Sequence, residues 1–310
     1  MDSKQQALIR LSEIFSEASR LFKILAEEAA PEEAQVSIQS VGAVTSEMDG
    51  RLLDKLNAGS DATRQLLEKK GIEIRTIGQI STEADGLLIL AGVMGKKCAT
   101  IKRFIDQIKR AQSSRRPISL DLSGSSQEAI ADITLVAKMA NQAGLLPNYR
   151  YLKSPRYKLF ADAPVSPLAI NFFNGQWLEL YALKIVCDAA TEFGLQLYPL
   201  YHVQIALPNG DQFDLDLVFV VGSSLVWVEA KTGDDFERLL PKYKVISELI
   251  CASPDHAILL WSGYEKSNAM LSARGAIARM TLCTPDDFPG YVNHLLTGEG
   301  LRGENGTELA

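Results

Sequence analysis

The chain has 310 residues, 46% apolar and 23% charged, a balance that describes a folded protein of about two domains rather than a disordered one. Its net charge of −6 excludes a general nucleic-acid coat, whose affinity rests on neutralising phosphates, but leaves room for an enzyme with an acidic metal site and a local basic track. No apolar run reaches the roughly 20 residues of a membrane span, and the opening MDSKQQALIRLSEIF lacks the apolar core of a signal peptide.

Cys98, Cys187, Cys251 and Cys283 are scattered without a metal-binding spacing, so a reduced, cytoplasmic protein is expected. The first predicted element is a helix over 4–29, in which Leu8, Leu11, Phe15, Ala18, Phe22 and Leu25 step by three and four. Such a seam either pairs with its own copy in a homodimer or lies on its own domain as an amphipathic face.

From residue 31 to 163 strands and helices alternate. Strands are expected at 35–41, 72–77, 86–91 (GLLILA), 117–122 and 157–161, and helices at 50–56, 61–69, 99–112 and 127–142. Repeated β-α succession with apolar strands predicts a parallel sheet covered by helices, a Rossmann-like domain. Ser123, Gly124, Ser125 and Ser126 stand at a strand end and open a helix, where free N–H groups suit a phosphate of a nucleotide cofactor. The same residues also serve as a plain helix cap. Basic residues crowd the stretch from Lys96 to Arg116, and again at Arg150, Lys153, Arg156 and Lys158. Both clusters suit a phosphate backbone or, more simply, a solvated face.

Residues 154–167 hold three prolines and read as a linker. A second domain follows over 164–297: a helix at 176–192, an extended stretch at 195–206, and a turn at Pro208-Asn209-Gly210. The stretch from Asp211 to Lys231, DQFDLDLVFVVGSSLVWVEAK, reads as two apolar strands around Gly222-Ser223, a pair suited to a two-residue type II′ turn. That turn sets Val221 opposite Ser224, hence Asp216 opposite Glu229 and Asp214 opposite Lys231, with all four charges on one face. A helix from near Pro241, a strand at 256–261, helical or turn structure around Met270, a strand at 279–283 and a disordered tail at 298–310 complete the chain.

Charges among Val, Leu and Phe need partners. A structural ion pair of Lys231 with Asp214 or Glu229 is the plain account, but it leaves two acids facing each other, an unfavourable pairing without a cation. Two hard acids side by side point to a divalent metal with a lysine beside it.

The order of helix with Glu179, strand with Asp216, and strand with Glu229-Ala230-Lys231 resembles the PD-(D/E)XK nuclease superfamily. Over about 170–262 the segments NGQWLELYAL, DLDLVFV, LVWVEAKTG and LLPKYKVISEL are similar to the nuclease half of CRISPR ancillary nucleases that carry a CARF sensor domain. Gly175, Trp177, Leu178 and Glu179 match the family's Gly-x-Trp-Leu-Glu helix, and Glu229-Ala230-Lys231-Thr232 its Glu-Cys-Lys-Thr strand. The CARF loop, Thr-Gly-Gly-Thr-Lys-like, falls on Ser123-Gly124-Ser125-Ser126-Gln127, where the second glycine and the lysine are replaced.

The resemblance implies an α/β protein: an N-terminal Rossmann-like, CARF-like sensor domain, and a C-terminal restriction-endonuclease-like domain with a central mixed sheet. It implies a metal-dependent endonuclease acting on nucleic acid, DNA ahead of RNA, under control of a cyclic nucleotide, with a dimer expected. Mg²⁺ or Mn²⁺ would sit on Asp216, Glu229, the Ala230 carbonyl and Glu179. Lys231 would orient or deprotonate the attacking water, and Lys242 or Lys244 would contact phosphate. His202, His256 and His294 have no metal-ligand spacing. Two other readings are a nuclease fold that no longer cuts and serves as a scaffold, and a repair or restriction-type nuclease whose N-terminal domain grips DNA.

Overall fold

The computed structural model describes residues 61–78, 85–233, 235–263 and 268–298. The helices expected at 4–29 and 50–56, the strand at 35–41 and the tail beyond Gly298 lie outside the described residues.

A six-stranded mixed sheet carries the fold, in the order β1 (Glu73–Ile77), β5 (Leu200–Ala206), β6 (Gln212–Val221), β7 (Ser224–Lys231), β8 (Ala257–Trp261), β9 (Thr281–Cys283). The first four run antiparallel in turn. The last three are parallel, so their connections must cross over. Helix α7 (Leu240–Ile250) makes the first crossover and α8 (Asn268–Ala278) the second. The α/β architecture with a mixed central sheet is as expected from the sequence.

The centre of the sheet is buried on both faces, which is why β7 and β8 read as apolar runs rather than as an alternation. One core joins Leu200, Val203, Leu215, Val218 and Trp227 to Tyr243 and Ile246 of α7. Helix α6 (Trp177–Glu192) packs on β6 and β7 as well. Strand alternation gives it the other set of buried side chains, Leu217, Phe219, Val226 and Val228.

The strands of the N-terminal half pair differently from the parallel layout expected. β2 (Ile118–Asp121), β4 (Lys158–Ala161) and β3 (Arg150–Leu152) form a separate three-stranded antiparallel sheet, and β1 joins the large sheet. GLLILA is not a strand but part of helix α2 (Asp85–Lys96). A segment apolar all round carries neither a helical nor a strand period, so pattern alone could not separate the two. Packing decides it: α2 lies against α6, and a Cβ on Gly95 would fall 2.2 Å from the Tyr181 ring. A helix can come that close only through glycine.

The remaining N-terminal helices are α1 (Asp61–Lys69), α3 (Cys98–Ser114) and α4 (Gln127–Gln142). A short helix, α5 (Pro167–Asn171), is joined to α6 by Phe172–Gln176, where the backbone kinks at Gly175, so part of the expected linker end is helical. Helix α9 (Phe288–Thr297) follows β9. No helix of the described residues is long and apolar enough to cross a membrane, and none of the four cysteines forms a disulfide.

Candidate functional site

The β6–β7 hairpin has the predicted register. Val221 faces Ser224, and the ladder runs through Leu217 opposite Val228. Gly222 takes φ +60° while Ser223 stays outside the left-handed region, as a type II′ turn requires. Beyond Leu217 and Val228 the two strands part: β6 continues on β5 alone and β7 on β8 alone. The sheet therefore forks, and the acids stand at the mouth of the fork.

Asp216 accepts a hydrogen bond from the Ala230 N–H at 2.8 Å, its side chain replacing the strand partner that the fork removes. Ala230 thus enters through its N–H. Lys231 places its Nζ 2.7 Å from Glu229 Oε1 and 3.8 Å from Asp216 Oδ2. Glu179, in the first turn of α6, accepts from the Tyr201 hydroxyl at 3.2 Å. Asp216, Glu229, Lys231 and Glu179 are brought together from three elements, as expected.

Asp214 is not part of the group. It pairs with Gln204 of β5 and is exposed, because the β6–β7 ladder ends before reaching it. Lys242 also points elsewhere, donating to the Gln212 carbonyl at 3.3 Å and standing 4.9 Å over the Phe213 ring. On α7 the residue facing the sheet is Tyr243, fully buried, so its neighbours Lys242 and Lys244 are turned to solvent. Ser126 caps α4 by accepting from the Ala129 N–H at 3.1 Å, and Ser123 bonds the Asp121 carboxylate through its hydroxyl at 2.6 Å. Ser125 donates its N–H to the Leu122 carbonyl, closing a turn with Gly124 inside it. These groups are occupied by cap and turn, the simpler of the two sequence readings.

Three residues join the site that sequence reasoning did not place there. Tyr243 sits beside Glu229, and Tyr201 orients Glu179. The third is His202, whose Nδ1 lies 3.8 Å from Glu179 Oε2. One ligand atom each from Glu179, His202 and Asp216 lie within 4.8 Å of one another, a group able to hold a metal ion. No local sequence signal marked His202: it is the observed pairing of β5 with β6, through Ala206 opposite Gln212, that sets His202 opposite Asp216. The alternation slips here on both strands, since Leu200 and Val203, and likewise Leu215 and Val218, face the same core. His202 takes φ +50° at the slip.

The electrostatics are those of a site short of positive charge. Burial and the carboxylates of Glu229 and Glu179 push Asp216 well above the usual carboxylate range, against the pull of Lys231 and the Ala230 N–H. Burial also raises Glu229, with Lys231 holding it back. For Lys231 burial acts downward, but Glu229 and Asp216 outweigh it and hold the amine above its ordinary value. The Glu179 carboxylate raises His202. Two carboxylates under 5 Å apart repel by about 3 kcal/mol at an effective dielectric near 20, more than one shared lysine relieves for three acids. In addition, Glu229 Oε2 is buried beside the Tyr243 hydroxyl, a weak and poorly aligned partner for a carboxylate. Three buried or half-buried carboxylates around one lysine are what a bound divalent ion would balance, and an oxygen-rich donor set suits a hard cation.

The rim of the site is reached by the basic helix α3. Lys109 donates to the Thr232 hydroxyl at 3.0 Å, and Thr232 in turn donates to the Asn174 carbonyl at 2.7 Å, beside the kink at Gly175. An open cleft of about 540 Å³ lies in front of Glu179, Tyr201 and His202, floored by Gly175 and Gln176.

No family model matches the chain, and no curated protein matches it. Solved structures do. Protein VC1899 from Vibrio cholerae superposes with a TM-score of 0.51 at 19% identity, over 77% of this chain and 62% of that one. Can2 from Sulfobacillus thermosulfidooxidans, solved in complex with cyclic tetra-adenylate, gives 0.50 at 14% identity, over 76% of this chain and 59% of that one. This chain thus spans about three fifths of the length of each. What it shares with both is the fold.

Proposed function

We propose that this chain is a metal-dependent nuclease of the PD-(D/E)XK type that hydrolyses phosphodiester bonds, DNA ahead of RNA. The observation that carries the reading is the gathering of Asp216, Glu229 and Lys231 at the fork, with both carboxylates buried around a single amine. Mg²⁺ or Mn²⁺ held by Asp216, Glu229 and Glu179 would supply positive charge at the scissile phosphate and a more acidic water.

The residues of the chain do the rest. Asp216 is fixed by the Ala230 N–H and Glu179 by the Tyr201 hydroxyl, so neither carboxylate must be ordered when substrate arrives. Glu229 holds the Lys231 amine at 2.7 Å. With its pKa held high, Lys231 is a fixed cation facing developing negative charge, rather than a base that collects a proton. Lys102 and Lys109 of α3, which line one cavity with Thr232, would form an approach for the phosphate backbone.

The reading extends to control and assembly. A sensor part within 31–163, which also lends β1 to the large sheet, and a nuclease part over 164–297 would be coupled through a cyclic nucleotide, as suggested by the cyclic tetra-adenylate in the complex of Can2. A homodimer through the N-terminal part and a cytoplasmic setting belong to the same proposal.

The test is a cleavage assay on supercoiled plasmid, single-stranded DNA and RNA, with Mg²⁺, Mn²⁺ or EDTA, with and without cyclic oligoadenylates. Cutting that needs a divalent ion and falls by about 10²–10³-fold in Lys231→Ala and Glu229→Gln is expected. Cutting that survives both substitutions would remove the site from the reaction. An absence of cutting under every condition would favour a scaffold that has lost the activity.

A further inference from the structure

We propose that the open face of the small antiparallel sheet, β2-β4-β3, is a platform for single-stranded nucleic acid, with the Phe160 ring stacking on a base and Arg150 and Lys158 beside it holding the backbone. The inference rests on the nuclease reading for the kind of strand, but it concerns a surface outside the fork and is read by binding alone.

The register builds the face. Phe160, on the middle strand, pairs with Ser119 of β2 on one side and with Arg150 of β3 on the other. Two residues along, Lys158 pairs with Asp121 and Leu152, so both rows share one face. The alternate residues Ile118, Leu120, Leu159 and Ala161 are buried in the core behind the sheet. On the open face Ser119, Asp121, Arg150, Leu152 and Lys158 are exposed, and Phe160 is half-buried among them. An aromatic ring therefore stands at the centre of a solvated, polar face, turned away from the core that its strand neighbours enter.

Charge names the partner. Arg115, Arg116, Arg150, Lys153, Arg156 and Lys158 are all exposed, on these strands or on the segments that lead into and join them. Asp121 is the acid of the face, and its Oδ1 already accepts from the Ser123 N–H and hydroxyl, at 2.9 and 2.6 Å. The Lys158 amine stands 3.9 Å from Asp121 Oδ2, too far for a hydrogen bond. A second copy of this chain would set the same cations against one another, whereas a polyanion neutralises them. A duplex hides the faces of its bases, so an aromatic ring selects an unpaired strand.

Helix α3 joins this platform to the fork. It packs on β2, holds Lys109 against Thr232 near its C-terminal end, and continues through Arg115 and Arg116 into β2. A strand lying on the sheet is thereby led along cations toward Lys231.

The experiment is fluorescence anisotropy on the full chain in EDTA, with a labelled oligothymidylate, an oligouridylate and a DNA duplex of equal length. The first two separate DNA from RNA as the source of the strand. The variants are Phe160→Leu, which keeps an apolar side chain without a ring, and Arg150→Ala. A single strand is expected to bind more tightly than the duplex. F160L should weaken it about tenfold with the salt slope unchanged, and R150A should lower that slope by about 0.7. A 5-iodouracil strand irradiated on the native protein should cross-link to the peptide that carries Phe160, a readout that needs no variant. Equal single-strand affinity in all three proteins, with the cross-link elsewhere, would overturn the platform and leave the chemistry of the fork standing. Duplex bound as tightly as single strands would overturn the role of the ring. A native dimer that either variant dissociates would give the face to a second copy instead. No binding of any nucleic acid would overturn both readings.

Discussion

Asp216 is the residue on which the charge balance turns. Its carboxyl is buried and flanked by two others, so its folded pKa lies well above the 3.8 of a free aspartate. Between those two values the folded protein keeps a proton that the unfolded chain has released, and stability falls as pH rises through the window. Glu229 acts in the same sense. Lys231 stays charged throughout, so it adds no slope there. Urea denaturation of the metal-free protein from about pH 4 upward should give a midpoint that drops with rising pH, and Asp216→Asn should flatten that slope. A metal-free midpoint that climbs over the same range would contradict the burial argument. Saturating Mn²⁺ should reverse the trend, since an ion that displaces protons binds better at higher pH.

At the scale of elements, the site depends on how α6 is held over the sheet. Helix α2 locks α6 through Gly95 against Tyr181, two residues beyond Glu179 in the same helix. Tyr181 has no freedom to yield, because its hydroxyl donates to the Pro285 carbonyl at 2.7 Å and its ring is fully buried. Gly95→Val should destabilise the protein by about 1–3 kcal/mol. Gly290→Ala, on an exposed turn of α9 with open space around it, should stabilise by about 0.5–1 kcal/mol. Urea midpoints that move equally in the two variants would show that the α2–α6 contact is not specific.

The same contact explains what the sequence conceals. The hairpin register was legible because a two-residue turn fixes every pair that follows it, and Asp216, Glu229 and Lys231 came with it. The helix at GLLILA was not, since burial on all sides erases the period that distinguishes helix from strand. His202 was hidden for another reason. Its place depends on the β5–β6 register, set across the longer turn from Leu207 to Asp211, and on a slip in alternation that no local pattern announces. Lys242 failed by one position on a helix, where a single residue turns a side chain by about 100°. Tyr243 holds the inward place.

At the scale of the whole molecule, the proposed binding of nucleic acid by a chain of net charge −6 would have to run through a local track, not through its overall field. Helix α3 offers that track, and the Lys109–Thr232 hydrogen bond ties it to the end of β7 that carries Lys231. Lys109→Ala should weaken binding to DNAs of different sequence by the same factor and lower the slope of log affinity against log salt by about one unit. An unchanged slope would exclude α3 from the phosphate path.

The fork between β6 and β7 has a practical side. Because the Asp216 carboxylate fills the place of a missing strand partner, truncating it to alanine would leave the Ala230 N–H buried and unanswered, at a cost of about 1–3 kcal/mol. Lost activity in such a variant would mix damaged architecture with damaged chemistry. Asparagine keeps an oxygen where Ala230 needs one while giving up the charge. Asp216→Asn is therefore the variant with which to test, on an intact protein, whether the proposed substrate is bound but left uncut.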